Sequence, residues 1–259
     1  MEFELRNCIY PLFKAKQKGG DVEDLRFLGT CFFVQIDKWV VMITAKHNLN
    51  TPLISDEILA VSERVGDSPN MVGIEGIFAN AKGDISFLHV ETDSLANFKR
   101  PLHPLKVLDK KLKMGHEVST FGFPFTQTIQ ENTTEPKTII ENNLFLKGYI
   151  NSIVEKEFIS DLARDAFEIN YYLSFFVPEG MSGAPLLARY NDEIFAAGIV
   201  YGNHEVQYQI SSWEETQSSG VTEKHVNYRQ YEFGISSTFL PFEDIKSTLT
   251  DIEKRVKIK

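Results

Sequence analysis

The sequence predicts an all-β protein of antiparallel strands, and three observations support this prediction. Short apolar runs rich in β-branched and aromatic residues recur along the 259 residues, with polar turns between them. Gly29–Ile36 and Trp39–Thr44 are two such runs separated only by Asp37-Lys38, which is typical of a hairpin. Helical periodicity is rare. Together these features favour an antiparallel barrel or sandwich over a parallel α/β sheet.

The predicted strands share an apolar run of moderate length with turn residues at its ends. They are Cys8–Phe13, Gly29–Ile36, Trp39–Thr44, Ile58–Val61, Met71–Phe78, Ile85–Val90, Glu117–Gly122, Leu144–Val154, Tyr171–Phe176, Ala184–Tyr190, Phe195–Val200 and Phe233–Ser237. One amphipathic helix is predicted within residues 241–254, because apolar residues recur there at helical spacing. Two polar stretches, Gln127–Lys137 and Ser211–Asn227, are predicted as exposed loops.

Composition restricts the function classes. The formal net charge is -9, which argues against nucleic acid as the partner. The sequence has no run of 18 apolar residues, so we expect no membrane span. It also begins without the pattern of a secretory signal, and we therefore expect a cytoplasmic protein.

Cysteine usage agrees with an intracellular compartment, because Cys8 and Cys31 are the only two cysteines. Cys31 lies in an apolar run and is expected to pack rather than react. The sequence leaves open a bridge between the two, since their flanking segments are candidates for neighbouring strands.

Three short segments contain the residues with catalytic potential. His47 follows the strongly apolar run that ends in Thr44-Ala45, where it is either an ordinary loop histidine or a general base at the rim of a barrel. Asp84 immediately precedes the run Ile85–Val90 and is either a turn carboxylate or the group that orients His47. Ser182 lies between Gly180 and Gly183, in either a plain glycine turn or a nucleophile loop.

Taken in order, these segments resemble the trypsin/chymotrypsin-like serine peptidase family, whose motifs are T-A-x-H, D-I-A-L and G-x-S-G-x-P. The matching residues here are Thr44-Ala45-Lys46-His47, Asp84-Ile85-Ser86-Phe87-Leu88 and Gly180-Met181-Ser182-Gly183-Ala184-Pro185. The position before the serine is Met181, where secreted members carry Asp. The resemblance is therefore closest to the bacterial and intracellular members, which are not activated by N-terminal cleavage.

The resemblance implies a chymotrypsin-like double antiparallel β-barrel with a C-terminal helix. The expected organisation is one peptidase domain, with a first barrel in residues 1–105, a second in 106–240, and a helix and tail in 241–259. It implies a serine endopeptidase that needs no metal or cofactor and acts on a protein or peptide substrate. The expected catalytic residues are His47, Asp84 and Ser182, and the amides of Gly180 and Ser182 are expected to bind the oxyanion.

The resemblance also implies where a substrate binds. The strand Gly198–Tyr201 is expected to pair with an extended substrate. The expected binding residues, which line the specificity pocket or lie along this strand, are Phe176, Val177, Gly198, Val200, Tyr201 and Gly202. Since 175–177 contains no acidic residue, we expect an apolar or small side chain at the cleavage position.

Alternative functions remain at this stage. An α/β-hydrolase would need an acid and then a histidine after Ser182, for which Asp192 with His204 or His225 are available, but the β-α alternation is missing. The histidines do not show metal-ligand spacing. A trypsin-like fold that is catalytically silent or latent is a third possibility. It would act as a protein- or peptide-binding module, or depend on a regulatory protein partner or on ordering of Ser211–Asn227.

Overall fold

The structure is a computed structural model that describes most of the chain. It describes residues 5–18, 21–49, 57–62, 70–72, 74–79, 84–90, 92–96, 98–129, 138–160, 163–220 and 222–239, with 246 and 250. No helix within these residues is long and apolar enough to cross a membrane.

Strands account for most of the described chain. They are β1 Ile9–Lys18, β2 Asp21–Ile36, β3 Trp39–Ala45, β4 Glu57–Val61, β5 Asn70–Val72, β6 Ile74–Ala79, β7 Ile85–Val90, β8 Leu105–Val107, β9 Glu117–Gly122, β10 Gln127–Ile129, β11 Thr138–Ile140, β12 Leu144–Ser160, β13 Ala163–Leu173, β14 Pro185–Tyr190, β15 Glu193–Thr216 and β16 Thr222–Thr238. A 3-10 helix covers Lys46–Leu49, and the short helix α1 covers Thr92–Ala96.

Six strands of the C-terminal part form a closed antiparallel barrel. Neighbours in this barrel follow the order β9, β12, β13, β16, β15 and β14, and β14 pairs again with β9. The N-terminal part forms a second antiparallel sheet in the order β5, β4, β1, β2, β3, β7 and β6. The all-β class and the antiparallel barrel architecture that the sequence predicts are therefore confirmed.

The short strand β8 joins the two sheets. It runs parallel to β2 on one side and parallel to β15 on the other. Sequence analysis missed β8, because a three-residue strand carries too little of the alternating pattern to be recognised.

The apolar run of β2 is buried on both faces. Cys31 and Phe33 pack into a core that also contains Tyr10 and Met42 from the N-terminal sheet. Phe32 and Val34 point the opposite way, into a core that also contains residues of the C-terminal barrel such as Phe121 and Ile199. Successive side chains of a strand point to opposite faces, so a strand between two cores must be apolar throughout. A further core, built around Tyr171 and Leu186, fills the barrel itself.

The long polar segment Ser211–Asn227 is not a loop, and this prediction was wrong. Its two halves pair along the ends of β15 and β16, and only Gln217–Gly220 forms a turn. The composition of the segment is polar because most described side chains of this two-stranded ribbon are exposed to solvent. Of the other predicted loop, Gln127–Ile129 pairs with Thr138–Ile140, and residues 130–137 lie outside the described residues.

The predicted C-terminal helix lies outside the described residues except for Lys246 and Thr250. Both are helical, and the Thr250 hydroxyl donates a hydrogen bond to the Lys246 carbonyl at 2.9 Å.

The two cysteines are free and buried on opposite sides of β2. Cys8 packs into the core that both sheets share, whereas Cys31 packs within the N-terminal sheet. Burial raises the pKa of the Cys8 thiol to about 12 and also raises the pKa of Cys31. Both groups are therefore neutral thiols at physiological pH, and the expected inert character of Cys31 has a physical cause.

We expect neither cysteine of the native protein to react at pH 8 with a thiol reagent such as 5,5′-dithiobis(2-nitrobenzoate). The reagent needs an accessible thiolate, and both sulfurs are buried and protonated. In guanidinium chloride two thiols should react. Rapid labelling of either cysteine in the folded protein would contradict the packing described for β2.

Candidate functional site

The strand register places His47 beside Asp84. β3 and β7 are antiparallel neighbours, and Ala45 at the end of β3 lies opposite Ile85 at the start of β7. The Lys46 amide extends the pairing by donating to the Asp84 carbonyl at 3.0 Å. The 3-10 helix then turns the chain at Lys46–Leu49, which brings the imidazole of His47 over the carboxylate of Asp84.

Asp84 holds His47 through both of its carboxylate oxygens. Oδ1 accepts a hydrogen bond from the His47 backbone N–H at 2.9 Å, and Oδ2 is hydrogen-bonded to the ring nitrogen Nδ1. A carboxylate accepts only, so a neutral imidazole here carries its proton on Nδ1 and leaves Nε2 with a lone pair. The His47 side chain is 41% exposed and that of Asp84 24%, so the ring remains accessible from solvent.

Ser182 lies in the connection between β13 and β14, at the junction of the two sheets. Its carbonyl accepts hydrogen bonds from the Thr30 amide at 2.9 Å and from Asn48 Nδ2 at 3.0 Å. Asn48 directly follows His47 in the chain. The helix that carries His47 therefore contacts the segment that carries Ser182, and the three predicted residues belong to one region of the molecule.

A buried polar network around Thr30 holds this connection in place. Thr30 Oγ1 donates to the Gly180 carbonyl at 2.9 Å and accepts from the Phe123 amide at 3.1 Å. Thr44 Oγ1 donates to the Thr30 carbonyl at 2.8 Å and accepts from Asn48 Nδ2 at 3.0 Å. Buried hydroxyls need such partners, since each unsatisfied polar group costs about 1–3 kcal/mol.

The amides of Gly180 and Ser182 donate no hydrogen bond to any described residue. The preceding carbonyls are occupied: Glu179 accepts from the Phe125 amide at 3.4 Å, and Met181 accepts from the Ala184 amide at 2.9 Å. The carbonyl and the N–H of a trans peptide point in opposite directions, so both N–H groups point away from these contacts. Two donors without a partner among the described residues, one of them on the serine itself, are thus available to an oxyanion.

The Ser182 hydroxyl does not bond to His47 among the described residues. Its Oγ donates instead to the Tyr201 carbonyl at 3.3 Å. Tyr201 is the extra residue of a bulge in β15, because Val200 lies opposite Ser236 and Gly202 opposite the next residue, Ile235. Bulges of this kind commonly redirect a residue beside an active site.

The predicted substrate residues occupy two different environments. Gly198 and Val200 are buried and have neighbours on both edges: Gly198 pairs with β14 and β16, while Val200 pairs with β16 and bonds to Gly183 and Ala184. From Gly202 onward, no strand of the described chain pairs with the second edge of β15. The edge without a strand neighbour therefore begins beyond Val200.

The segment that precedes the serine connection contains the other two predicted binding residues. Phe176 is 49% exposed, whereas Val177 is buried in the barrel core. The Val177 backbone bonds on both its N–H and its carbonyl to the side chain of Asn203, so this segment is attached to β15.

Sequence analysis did not identify Thr30, Thr44, Asn48 or Asn203. The first two had a usable signal, because a hydroxyl within a fully apolar strand must find a hydrogen-bond partner. Asn48 and Asn203 lie in polar surroundings in the sequence, and only the three-dimensional arrangement shows their partners. Asp192 and the histidines of the hydrolase alternative lie in an antiparallel structure without β-α alternation, so that alternative is excluded for the described fold.

Comparisons with known proteins give little additional information. No family model matches the sequence, and no curated protein matches it either. Among solved structures the chain is similar to an inactive-form mutant of Rv3671c from M. tuberculosis H37Rv, at 15% identity and a TM-score of 0.48. The match covers 96% of this chain and 88% of that chain. A similarity this low supports no statement about function.

We expect Gly183→Ala to be far more damaging than Gly220→Ala. Both glycines have positive φ, at 91° and 80°. A Cβ at position 183 would lie 2.1 Å from the Thr30 carbonyl oxygen, whereas a Cβ at 220 would meet nothing within 4 Å. Gly220→Ala should cost about 1 kcal/mol from backbone strain alone, and Gly183→Ala about 4 kcal/mol or more.

Urea unfolding of the two variants measures this difference. The ribbon turn at Gly220 serves as the matched control, since it shares the backbone conformation but not the crowding. Similar losses for both variants would contradict the close packing of the serine connection against Thr30.

Proposed function

We propose that this chain is a serine endopeptidase that cleaves peptide bonds through His47, Asp84 and Ser182. The observation that carries the proposal is the two-point contact of Asp84 with His47, near a serine whose own amide, like that of Gly180, donates no hydrogen bond to any described residue. This arrangement supplies an orienting carboxylate, a base, a nucleophile and two donors for a developing oxyanion.

In the proposed reaction the Ser182 hydroxyl first leaves the Tyr201 carbonyl and turns towards Nε2 of His47. His47 accepts the hydroxyl proton while Oγ forms a bond to the substrate carbonyl carbon. The N–H groups of Gly180 and Ser182 stabilise the negative oxygen of the tetrahedral intermediate. His47 then protonates the leaving amine, and water releases the acyl group by the same steps in reverse order.

Asp84 contributes orientation and charge. Its contact with Nδ1 directs Nε2 to the reacting side and stabilises the imidazolium that forms when His47 holds the proton. The additional bond from Oδ1 to the His47 amide fixes the carboxylate relative to the same residue, so ring and carboxylate move little with respect to each other.

An extended substrate would lie along β15. The edge of this strand beyond Val200 has no strand neighbour within the described chain and begins next to Ser182. Backbone pairing of a substrate with this edge would hold the scissile bond in an extended conformation. The expected partner is thus a protein or peptide segment without regular structure.

A latent or silent form is the second candidate, and one observation favours it. The Ser182 hydroxyl donates to the Tyr201 carbonyl rather than to His47. A protein in which this bond persists would bind a peptide without cleaving it, until a regulatory partner or the substrate itself turned the serine.

We expect a fluorophosphonate probe to label the purified protein, and Ser182→Ala to abolish the labelling. The probe forms a covalent bond only with a serine that a neighbouring base activates. Ser218→Ala is the control, since Ser218 lies exposed at the turn of the ribbon. Absence of labelling in well-folded wild-type protein would contradict the peptidase and favour the latent form.

Asp84→Asn should reduce the labelling rate by about 10⁴-fold, because an amide in this position favours the wrong tautomer of His47. Asp93→Asn is the matched control, since Asp93 is exposed at the start of α1. Stopped-flow or time-resolved gel fluorescence measures both rates. A reduction of less than about tenfold for Asp84→Asn would contradict the role assigned to this carboxylate.

A further inference from the structure

We propose that the side chain of Asn203 determines which residue the site accepts at the cleavage position, and that it restricts this residue to Gly, Ala or Ser. The inference rests on the proposed function, since it concerns the same site. It is carried by contacts of Asn203 that sequence analysis did not anticipate.

Asn203 bridges β15 to the segment that precedes the serine connection. Its Oδ1 accepts a hydrogen bond from the Val177 N–H at 2.8 Å, and its Nδ2 donates to the Val177 carbonyl at 2.8 Å. The side-chain amide therefore pairs with one residue's backbone as a neighbouring strand would. We call this pair of bonds the Asn203 clip.

The clip lies beside the proposed nucleophile. Val177 precedes Ser182 by five positions. Asn203 lies two positions after Tyr201, and the Tyr201 carbonyl accepts the hydrogen bond of the Ser182 hydroxyl. A substrate paired with β15 from Gly202 onward presents the side chain next to the scissile bond to the space between these two chain segments. The clip spans this space.

The space behind the clip is already occupied. The Gly234 amide of β16 donates to the Phe175 carbonyl at 2.8 Å, which holds the segment against the barrel. A Cβ built on Gly234 would lie 2.7 Å from the Phe175 oxygen and 2.7 Å from Cγ2 of Val177. The Val177 side chain thus packs against β16 on the barrel side of its own segment.

A large side chain could enter only if the clip opened. Opening would break two hydrogen bonds and leave the Val177 backbone groups, which belong to a buried residue, without partners. Since unsatisfied buried groups are costly, a small residue that leaves the clip intact is strongly preferred.

The clip also explains why an asparagine suits this position. Its amide offers one acceptor and two donors at a fixed separation, which matches the N–H and carbonyl of one residue. Aspartate would accept from the Val177 N–H but could not donate to the Val177 carbonyl.

The test compares two peptides that differ only in Ala or Phe at the residue before the scissile bond. We expect the wild-type protein to cleave the Ala peptide at least about tenfold faster than the Phe peptide. Asn203→Gly removes the clip and should bring the two rates within about threefold of each other. Asn203→Ala serves as a second variant, and Gln207→Gly, on the exposed part of β15, is the matched control.

A binding measurement separates this inference from the proposed activity. The same peptides, labelled with fluorescein, are titrated in fluorescence anisotropy with the Ser182→Ala protein, with and without Asn203→Gly. Preferential binding of the Ala peptide that disappears with Asn203→Gly would support the clip even if no variant cleaves either peptide, which would refute only the peptidase. Equal affinity for both peptides in the Ser182→Ala protein, an unchanged preference in Asn203→Gly, or no binding of either peptide would overturn the inference.

Discussion

The carbonyl of Ser182 is the acceptor on which the arrangement of the site depends. It receives one hydrogen bond from the backbone of Thr30 in β2 and one from the side chain of Asn48, next to His47. Thr30 lies in the N-terminal sheet and Asn48 in the 3-10 helix that follows β3, whereas Ser182 leads into β14 of the C-terminal barrel. Two bonds to one oxygen therefore fix the segment of His47 relative to Ser182 across the junction of the two sheets. Each is worth about 1 kcal/mol net, but leaving this oxygen without donors in a half-buried position would cost more.

The same constraint explains the glycines around the serine. Gly29 lies so close to the network that an added Cβ would be 2.5 Å from Asn48 Nδ2 and 2.8 Å from the Ser182 oxygen. Gly183 is equally restricted by the Thr30 carbonyl on the other side. Backbone approaches backbone here without intervening side chains, which is how two sheets with separate cores can share one polar centre. The apolar core between the sheets contains Phe32 of the N-terminal sheet and Ile199 of the barrel.

The sequence predicts the class of fold and most strands because β2, β3 and β7 each contain a run of mainly apolar residues that is buried. A strand buried on both faces has an apolar run that can be recognised in the sequence without knowledge of the neighbouring strands. The same analysis nominates His47 and Asp84, and the structure places them in contact through the β3–β7 register. It does not predict the direction of the Ser182 hydroxyl, which points to the bulged residue Tyr201, or the Asn203 clip, whose two residues lie 26 positions apart in the sequence.

The ribbon shows why a polar composition alone does not distinguish a loop from a pair of exposed strands. Trp213, Val221 and Val226 are isolated among polar residues in Ser211–Asn227, so this segment has neither a continuous apolar run nor a regular alternation. A ribbon with solvent on both faces needs no apolar face, so the composition resembles that of a loop. The pairing of its two halves is therefore seen only in the structure.

The long edge of β15 also affects how copies of the molecule meet. Strand edges of this length attract one another, because each offers backbone donors and acceptors to the next chain. The paired stretch of β15 and β16 from Glu205 to Glu232, which includes the ribbon, carries exposed carboxylates at Glu205, Glu214, Glu215, Glu223 and Glu232, against exposed cations at Lys224 and Arg229. Two carboxylate pairs, Glu205 with Glu232 and Glu215 with Glu223, even lie directly opposite each other across the strands. This excess of negative charge weakens the pairing slightly and opposes the approach of the same edge of a second molecule.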